Sequence, residues 1–173
     1  MRHFFIDQSE LAVPVPTLRG ADAKHIINVL RMKPEEKIGL FDGTGKQYEA
    51  RIVDLSSGKV EVSILGSFYP SVESPLELVV AQSFLKEGKM DDLVRKLTEL
   101  GISKWIPFIS ERSVPKPDDK RIIARTGRWE KIAKEAAKQC KRVKITRIGE
   151  MVSFEEILAS EKDFDLKILF WEN

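Results

Sequence analysis

The chain has 173 residues, 42% of them hydrophobic and 32% charged, a composition that folds and a length that excludes a large multidomain enzyme. One cysteine and two histidines exclude an internal disulfide framework and a zinc-ligand set, so no metal is expected. No stretch approaches the roughly 18 apolar residues of a membrane span, and the opening segment has no apolar leader core. Cytoplasm is the expected compartment, with no membrane partner.

The first expected helix starts near Asp22 as N-cap, carries Ile26, Ile27, Val29 and Leu30 inward and stops before Pro34. From 37 to 65 the apolar period is two: Tyr48, Ala50 and Ile52, then Val60, Val62 and Ile64, alternate with polar residues. Half-buried strands have this period, and Asp42-Gly43 and Ser57-Gly58 supply their turns. Two prolines, three serines and a glycine between Gly66 and Pro75 mark a linker. Residues 1–70 therefore read as a β-rich domain and 71–173 as a second one.

Beyond the linker, strand and helix alternate. Leu76 to Ala81 reads as a short strand and 89–100 as a helix whose Met90, Leu93, Val94, Leu97 and Leu100 form one apolar stripe ended by Gly101. Trp105 to Ile109 reads as a strand, Lys120 to Cys140 as a long helix and Leu166 to Trp171 as a last strand. This alternation predicts a parallel α/β sheet.

A net charge of +2 conceals a strong asymmetry, because 112–147 hold 13 Lys plus Arg against 4 acids. On the long helix Arg121, Arg125, Arg128, Lys131, Lys134, Lys138 and Arg142 recur every three or four residues, opposite Ile122, Trp129, Ile132, Ala133, Ala136 and Cys140. One face should be basic and the other buried. Such a stripe suits a polyanion, bound largely through counterion release, or else is an ordinary solvated helix face. Glu130 and Glu135 favour the second reading by offering local pairing.

Several catalytic motifs fail. Gly43-Thr44-Gly45-Lys46-Gln47 imitates the tail of a phosphate-binding loop, but Leu40 stands where that motif needs glycine, Gln47 where it needs Ser or Thr, and the segment lies between strands. Cys140 on the apolar face, with no histidine near it in sequence, reads as a packing group. Spacing alone gives no reaction.

An ordered set of strings carries a resemblance. It runs through Met1-Arg2-His3-Phe4-Phe5; His25 and Val29-Leu30-Arg31-Met32-Lys33; Leu40-Phe41-Asp42-Gly43; Gln82, Lys86, Gly88 and Met90; Lys96 and Thr98-Glu99-Leu100-Gly101; Pro107 and Ser110-Glu111-Arg112-Ser113; and Arg128-Trp129, Ile132-Ala133, Glu135-Ala136-Ala137 and Gln139-Cys140. The chain resembles the bacterial 16S rRNA (uracil-N3)-methyltransferases of the SPOUT class over about residues 1 to 145. The resemblance implies a PUA-like RNA-binding β-barrel followed by a trefoil-knot α/β methyltransferase domain. It also implies S-adenosyl-L-methionine as donor, 16S rRNA of the small ribosomal subunit as substrate, and a homodimer for the full-length protein. The family's later Gly-Pro-Glu-Gly-Gly and Leu-Gly-x-Arg-x-Leu-Arg segments, which form the knot and hold the donor, do not occur in this sequence. The methyltransferase domain is thus expected to be incomplete, and the 173 residues alone are expected to be inactive, with the cofactor residues lying in the missing segment.

Methylation of uracil N3 needs the imide proton removed and the ring nitrogen set in line with the donor methyl. At a strand end, where open α/β sheets bind ligands, Arg112 suits the developing anion and Glu111 the proton, although a structural Glu-Arg pair is an equal reading. Lys86 reads as an RNA contact or a helix cap. Gln139 and Arg142 could reach RNA from the end of the basic helix. Arg2 and Arg31 could meet phosphate on the barrel, or cover apolar surface with their stems. Phe4, Phe5 and Phe41 read as barrel core rather than base-stacking groups. Two other readings stay open: a non-catalytic RNA-binding protein, and an interaction scaffold that uses the charge stripe as a partner surface.

Overall fold

The computed structural model describes residues 1–56, 58–70, 73–86, 88–111, 113, 118–160 and 164–170. Contacts divide the chain into two units. One comprises Met1–Glu77 with Ala133–Ile145, the other Leu78–Ile132 with Thr146–Asn173.

The first unit is built on a curled five-stranded sheet. Its elements are β1 (His3–Phe5), α1 (Gln8–Leu11), β2 (Thr17–Arg19), α2 (Gly20–Lys24), a π-helical turn (His25–Val29), β3 (Lys37–Phe41), β4 (Gln47–Ser56) and β5 (Lys59–Phe68). Strand order is β1-β3-β4-β5-β2, with β1 parallel to β3 and every other pair antiparallel. Register shifts at Glu49/Ala50 and Ile52/Asp54 interrupt the β4–β5 ladder, and bulges of that kind bend and twist a sheet. The alternation read from sequence sets the inward face: Ile38, Leu40, Ala50, Ile52, Val60 and Val62 are buried with Phe4, Ile6 and Leu18. Each buried Val, Leu, Ile or Phe side chain among them stabilises the unit by roughly 1.5–3 kcal/mol.

The expected first helix differs in its start and its inner face. It begins at Gly20 with Arg19 as N-cap and passes into the π turn, where the Leu30 N–H donates to the His25 carbonyl at 2.9 Å. The wider i→i+5 turn rotates the chain beyond the 3.6-residue period, so Ile26 is buried while Val29 is 66% exposed. The expected linker also begins later, because β5 continues to Phe68.

The second unit is α/β with a wholly parallel sheet. β6 (Val79–Ser83), α3 (Lys89–Glu99), β7 (Lys104–Ile109), α4 (Asp119–Cys140), β8 (Arg147–Ile148), β9 (Val152–Ser153) and α5 (Phe154–Ala159) follow in chain order. β7 pairs with β6, β8 and β9. Residues of α4 as far as Ile132 belong to this unit. Trp105 and Trp129 meet edge to face, with centroids 4.9 Å apart, and both are buried, as are Met90, Val94 and Leu97 of α3.

Three expectations fail here. β6 starts at Val79 rather than Leu76, and Leu76 and Leu78 are exposed, because the ladder begins where Val79 meets Lys104. Leu100 is 78% exposed: it is the C-cap of α3, and Gly101 at φ +94° turns the chain away before Ile102 returns to the interior. Residues 166–170 form no strand, and Leu166, Ile168, Leu169 and Phe170 are exposed. An apolar run becomes a strand only with a neighbour to complete its ladder, and these described residues have none; Trp171 lies outside the described residues. No described helix is long and apolar enough to cross a membrane.

Candidate functional site

The basic stripe of α4 separates into two kinds of cation. Asp118 caps the helix, its carboxylate accepting from the Arg121 N–H at 2.8 Å. Arg121 is exposed with a loose pair to the same carboxylate at 3.7 Å. The Arg125 guanidinium lies 5.0 Å from the Phe84 ring centroid, a cation–π arrangement. Arg128 donates to Asp91 Oδ2 yet remains largely exposed, and the other Asp91 oxygen accepts from the Trp129 indole N–H at 3.2 Å. Phe84, Leu85, Asp91, Arg125, Arg128 and Trp129 help to line an open groove of about 250 Å³. Lys131 is exposed.

From Ala133 onward the same period places cations inside the first unit. Lys134 Nζ sits 3.4 Å above the centre of the Phe5 ring, and burial pulls its pKa below the ordinary lysine value. Lys138 donates to Asp22 Oδ1 and Glu135 Oε1, both at 2.9 Å. Burial opposes its charge, but these two carboxylates hold its pKa above the ordinary value. Arg142 is buried, and its Nε and Nη2 donate to Glu73 Oε2 at 3.1 and 2.8 Å. Glu73 Oε1 accepts from the backbone N–H groups of Val143 and Lys144. Burial pushes the Glu73 pKa up, yet the Arg142 and backbone hydrogen bonds outweigh it and hold the carboxyl below its ordinary value.

The expectation that Arg142 reaches outward for RNA is therefore corrected: its guanidinium is a buried structural group. Gln139, three residues earlier, is exposed. Arg2, Arg31 and Lys86 are exposed, and Arg31 holds a left-handed φ of +50° just after the π turn. Phe4 and Phe41 are core, as read from sequence, while Phe5 is only half-buried.

At the carboxyl end of the parallel strands, the β6–β7 register aligns Ser83 with Phe108 and brings the chain just beyond β7 beside it. Ser83, Ser110 and Ser113 form a triangle of hydroxyls 3.0–3.1 Å apart, and Ser113 Oγ also accepts from the Ser110 N–H at 3.0 Å. Glu111 is exposed beside this triangle; Arg112 lies outside the described residues. Sequence reasoning selected Glu111 and Arg112 at this strand end and passed over Ser83, although Ser110 and Ser113 stood in the same string. It also missed Asp91, Asp22 and Glu73, the acids that meet the α4 cations, since nothing in local spacing links them to that helix.

Comparison with known proteins bears on both units. An RNA methyltransferase PUA domain family matches residues 18–65, and an RNA methyltransferase domain family matches 72–173. The ribosomal RNA small subunit methyltransferase E of Bacillus subtilis is 31% identical over 99% of this chain and 68% of its own length. The chain belongs to this methyltransferase family. The Buchnera aphidicola (strain APS) family member is 29% identical over 88% of this chain, which spans 60% of that relative. Family architecture is equally clear in solved structures. The Neisseria gonorrhoeae methyltransferase E, solved bound to S-adenosyl methionine, has a TM-score of 0.78 at 32% identity, covering 91% of this chain and 65% of its own. A Legionella pneumophila methyltransferase, solved with the cofactor SAM, has a TM-score of 0.78 at 27% identity, covering 92% and 66%. The PUA-like half-barrel and parallel α/β unit are thus those of the SPOUT methyltransferases.

The strand-end residues do not by themselves fit an S-adenosyl group. Their three hydroxyls bond to one another, and Glu111 faces solvent.

Proposed function

We propose that this chain is part of an S-adenosylmethionine-dependent methyltransferase that modifies N3 of a uridine in 16S rRNA of the small ribosomal subunit. The similarity to Bacillus subtilis methyltransferase E, running through both units over 99% of the chain, carries this reading. The donor supplies the electrophilic methyl, and its binding residues lie outside the strand-end cluster described above. Glu111 and Arg112 are assigned to the uracil imide, Glu111 to the leaving proton and Arg112 to the charge left on the ring. RNA contacts are assigned to the exposed cations Arg121, Arg128 and Lys131 of α4, to Arg125 and Lys86 beside the groove, and to Gln139, Arg2 and Arg31. The full-length protein is assigned a homodimeric state and a cytoplasmic location.

Mapping of modified bases on small-subunit rRNA tests the reading. Deletion of the gene should remove one N3-methyluridine, and the full-length gene should restore it. A modification pattern unchanged by deletion contradicts the assignment. Separately, Glu111→Gln should lower single-turnover methylation in the full-length enzyme while RNA affinity holds; an unaltered rate removes Glu111 from the chemistry.

A further inference from the structure

Two helices of this chain end in the same backbone motif with different residues at its left-handed position. At the end of α3 the Gly101 N–H donates to the Thr98 carbonyl and the Ile102 N–H to the Leu97 carbonyl, both at 3.1 Å, with Gly101 at φ +94°. At the end of α4 the Lys141 N–H donates to the Lys138 carbonyl at 3.3 Å and the Arg142 N–H to the Ala137 carbonyl at 2.9 Å. Lys141 there holds φ +62°. Glycine is the usual residue in this motif because a Cβ is strained at that φ. A lysine kept in a strained conformation points to a role for its side chain.

That side chain joins an unusual neighbourhood in the first unit. The segment after Lys141 pairs with the β3–β4 turn: Lys144 bridges Gly43 and Thr44, Gly45 N–H donates to the Val143 carbonyl at 3.1 Å, and Ile145 N–H to the Gly43 carbonyl at 3.1 Å. Gly43 is required there, at φ +84°, since a side chain would strike Ile145. Lys46 follows directly, its ammonium 5.3 Å from the Tyr48 ring centroid. Arg2, Lys141 and Lys144 are exposed, and among the described residues none of these three nor Lys46 has a carboxylate at ion-pair distance. Elsewhere in the unit, Arg19, Lys37, Arg51, Lys138 and Arg142 each have one. Asp42, the acid within the turn, is engaged by Thr44 and by the Tyr48 hydroxyl. Burial first, and then the N-terminal amine and Lys141, push the His3 pKa down. Beside the cations, β4–β5 pairing sets Tyr48 opposite Ser67 and Gln47 opposite Phe68, with Tyr69 next in the chain and 75% exposed.

We propose that the seam of Arg2, Lys46, Lys141 and Lys144 holds consecutive phosphates of single-stranded RNA, while the exposed Tyr69 ring, beside Tyr48, stacks an unpaired base. This deepens the RNA-methyltransferase reading and rests on it for the identity of the polyanion. Cations without acid partners release counterions when they meet phosphate, and an exposed ring accepts any base face. Duplex RNA keeps its bases stacked inward and cannot use the ring.

Binding of a fluorescein-labelled ten-nucleotide uridine RNA to the whole chain, followed by anisotropy across a salt series, tests the seam. Lys141→Gly should leave the melting temperature unchanged or higher, because relief of φ strain offsets the freer unfolded chain. The same variant combined with K144A should reduce the slope of log K against log salt by about 1.4, or about 0.7 per cation. Tyr69→Ala should weaken binding at least about fivefold with no change in slope. Affinity and slope unchanged in these variants, tighter binding of a ten-base-pair RNA duplex, or no binding by the unaltered chain would each overturn the seam. Rejection of the enzymatic reading has a separate signature, an unaltered base-modification map of 16S rRNA.

Discussion

The two halves of α4 carry the same sequence pattern and meet different fates. Before Ile132 its cations lie exposed or over an open groove; after Ala133 they stack on Phe5, pair with Asp22 or enter the interior against Glu73. A period of three to four fixes which face a side chain occupies, but an acid distant in sequence decides whether that face meets water. Asp22 and Glu73 lie 116 and 69 residues from their cations. A cationic stripe is thus not one functional surface, and only its outward half can trade counterions for phosphate.

Glu73→Ala leaves the Arg142 charge uncompensated in the interior and should destabilise the chain by about 3–5 kcal/mol in urea unfolding. A loss below about 1 kcal/mol would mean that Arg142 reaches water after all. Acid should reveal the same group. The Glu73 carboxyl titrates below its ordinary value of 4.5 in the folded state, so its contribution is complete above the unfolded pKa and disappears as pH falls through the folded one. The acid side of the stability profile should flatten in Glu73→Gln. Asp22→Asn, which weakens the mostly buried Lys138 pair, should cost about 1–3 kcal/mol. At the groove, Asp91→Ala removes the Trp129 acceptor and a mostly exposed Arg128 partner, and should cost about 1 kcal/mol.

Much of the architecture was legible before coordinates. Strict alternation in β4 and β5 gave the inward face of the curled sheet, and the long helix begins within one residue of its expected start. Signals for α5 were also present: Ser153 and Glu156 form a capping box, a pattern that announces a helix start from sequence. Other features needed the fold. The π turn redirects Val29 without any sequence period to signal it, and the run from Leu166 has strand-like residues but no neighbour. In the candidate site, the strand-end string around Ser110 was readable as a position, whereas its hydroxyl triangle depends on Ser83 from another strand.

The outward half of α4 gives the most direct test of the account. Arg121→Ala, Arg128→Ala and Lys131→Ala combined should change unfolding stability by no more than about 0.5 kcal/mol beyond the Asp91 contribution, since all three cations are exposed. Binding of 16S rRNA measured across a salt series should then lose about 2–3 from the slope of log K against log salt, one phosphate contact for each cation. A slope equal to that of the unaltered chain would contradict the assignment of this surface to RNA.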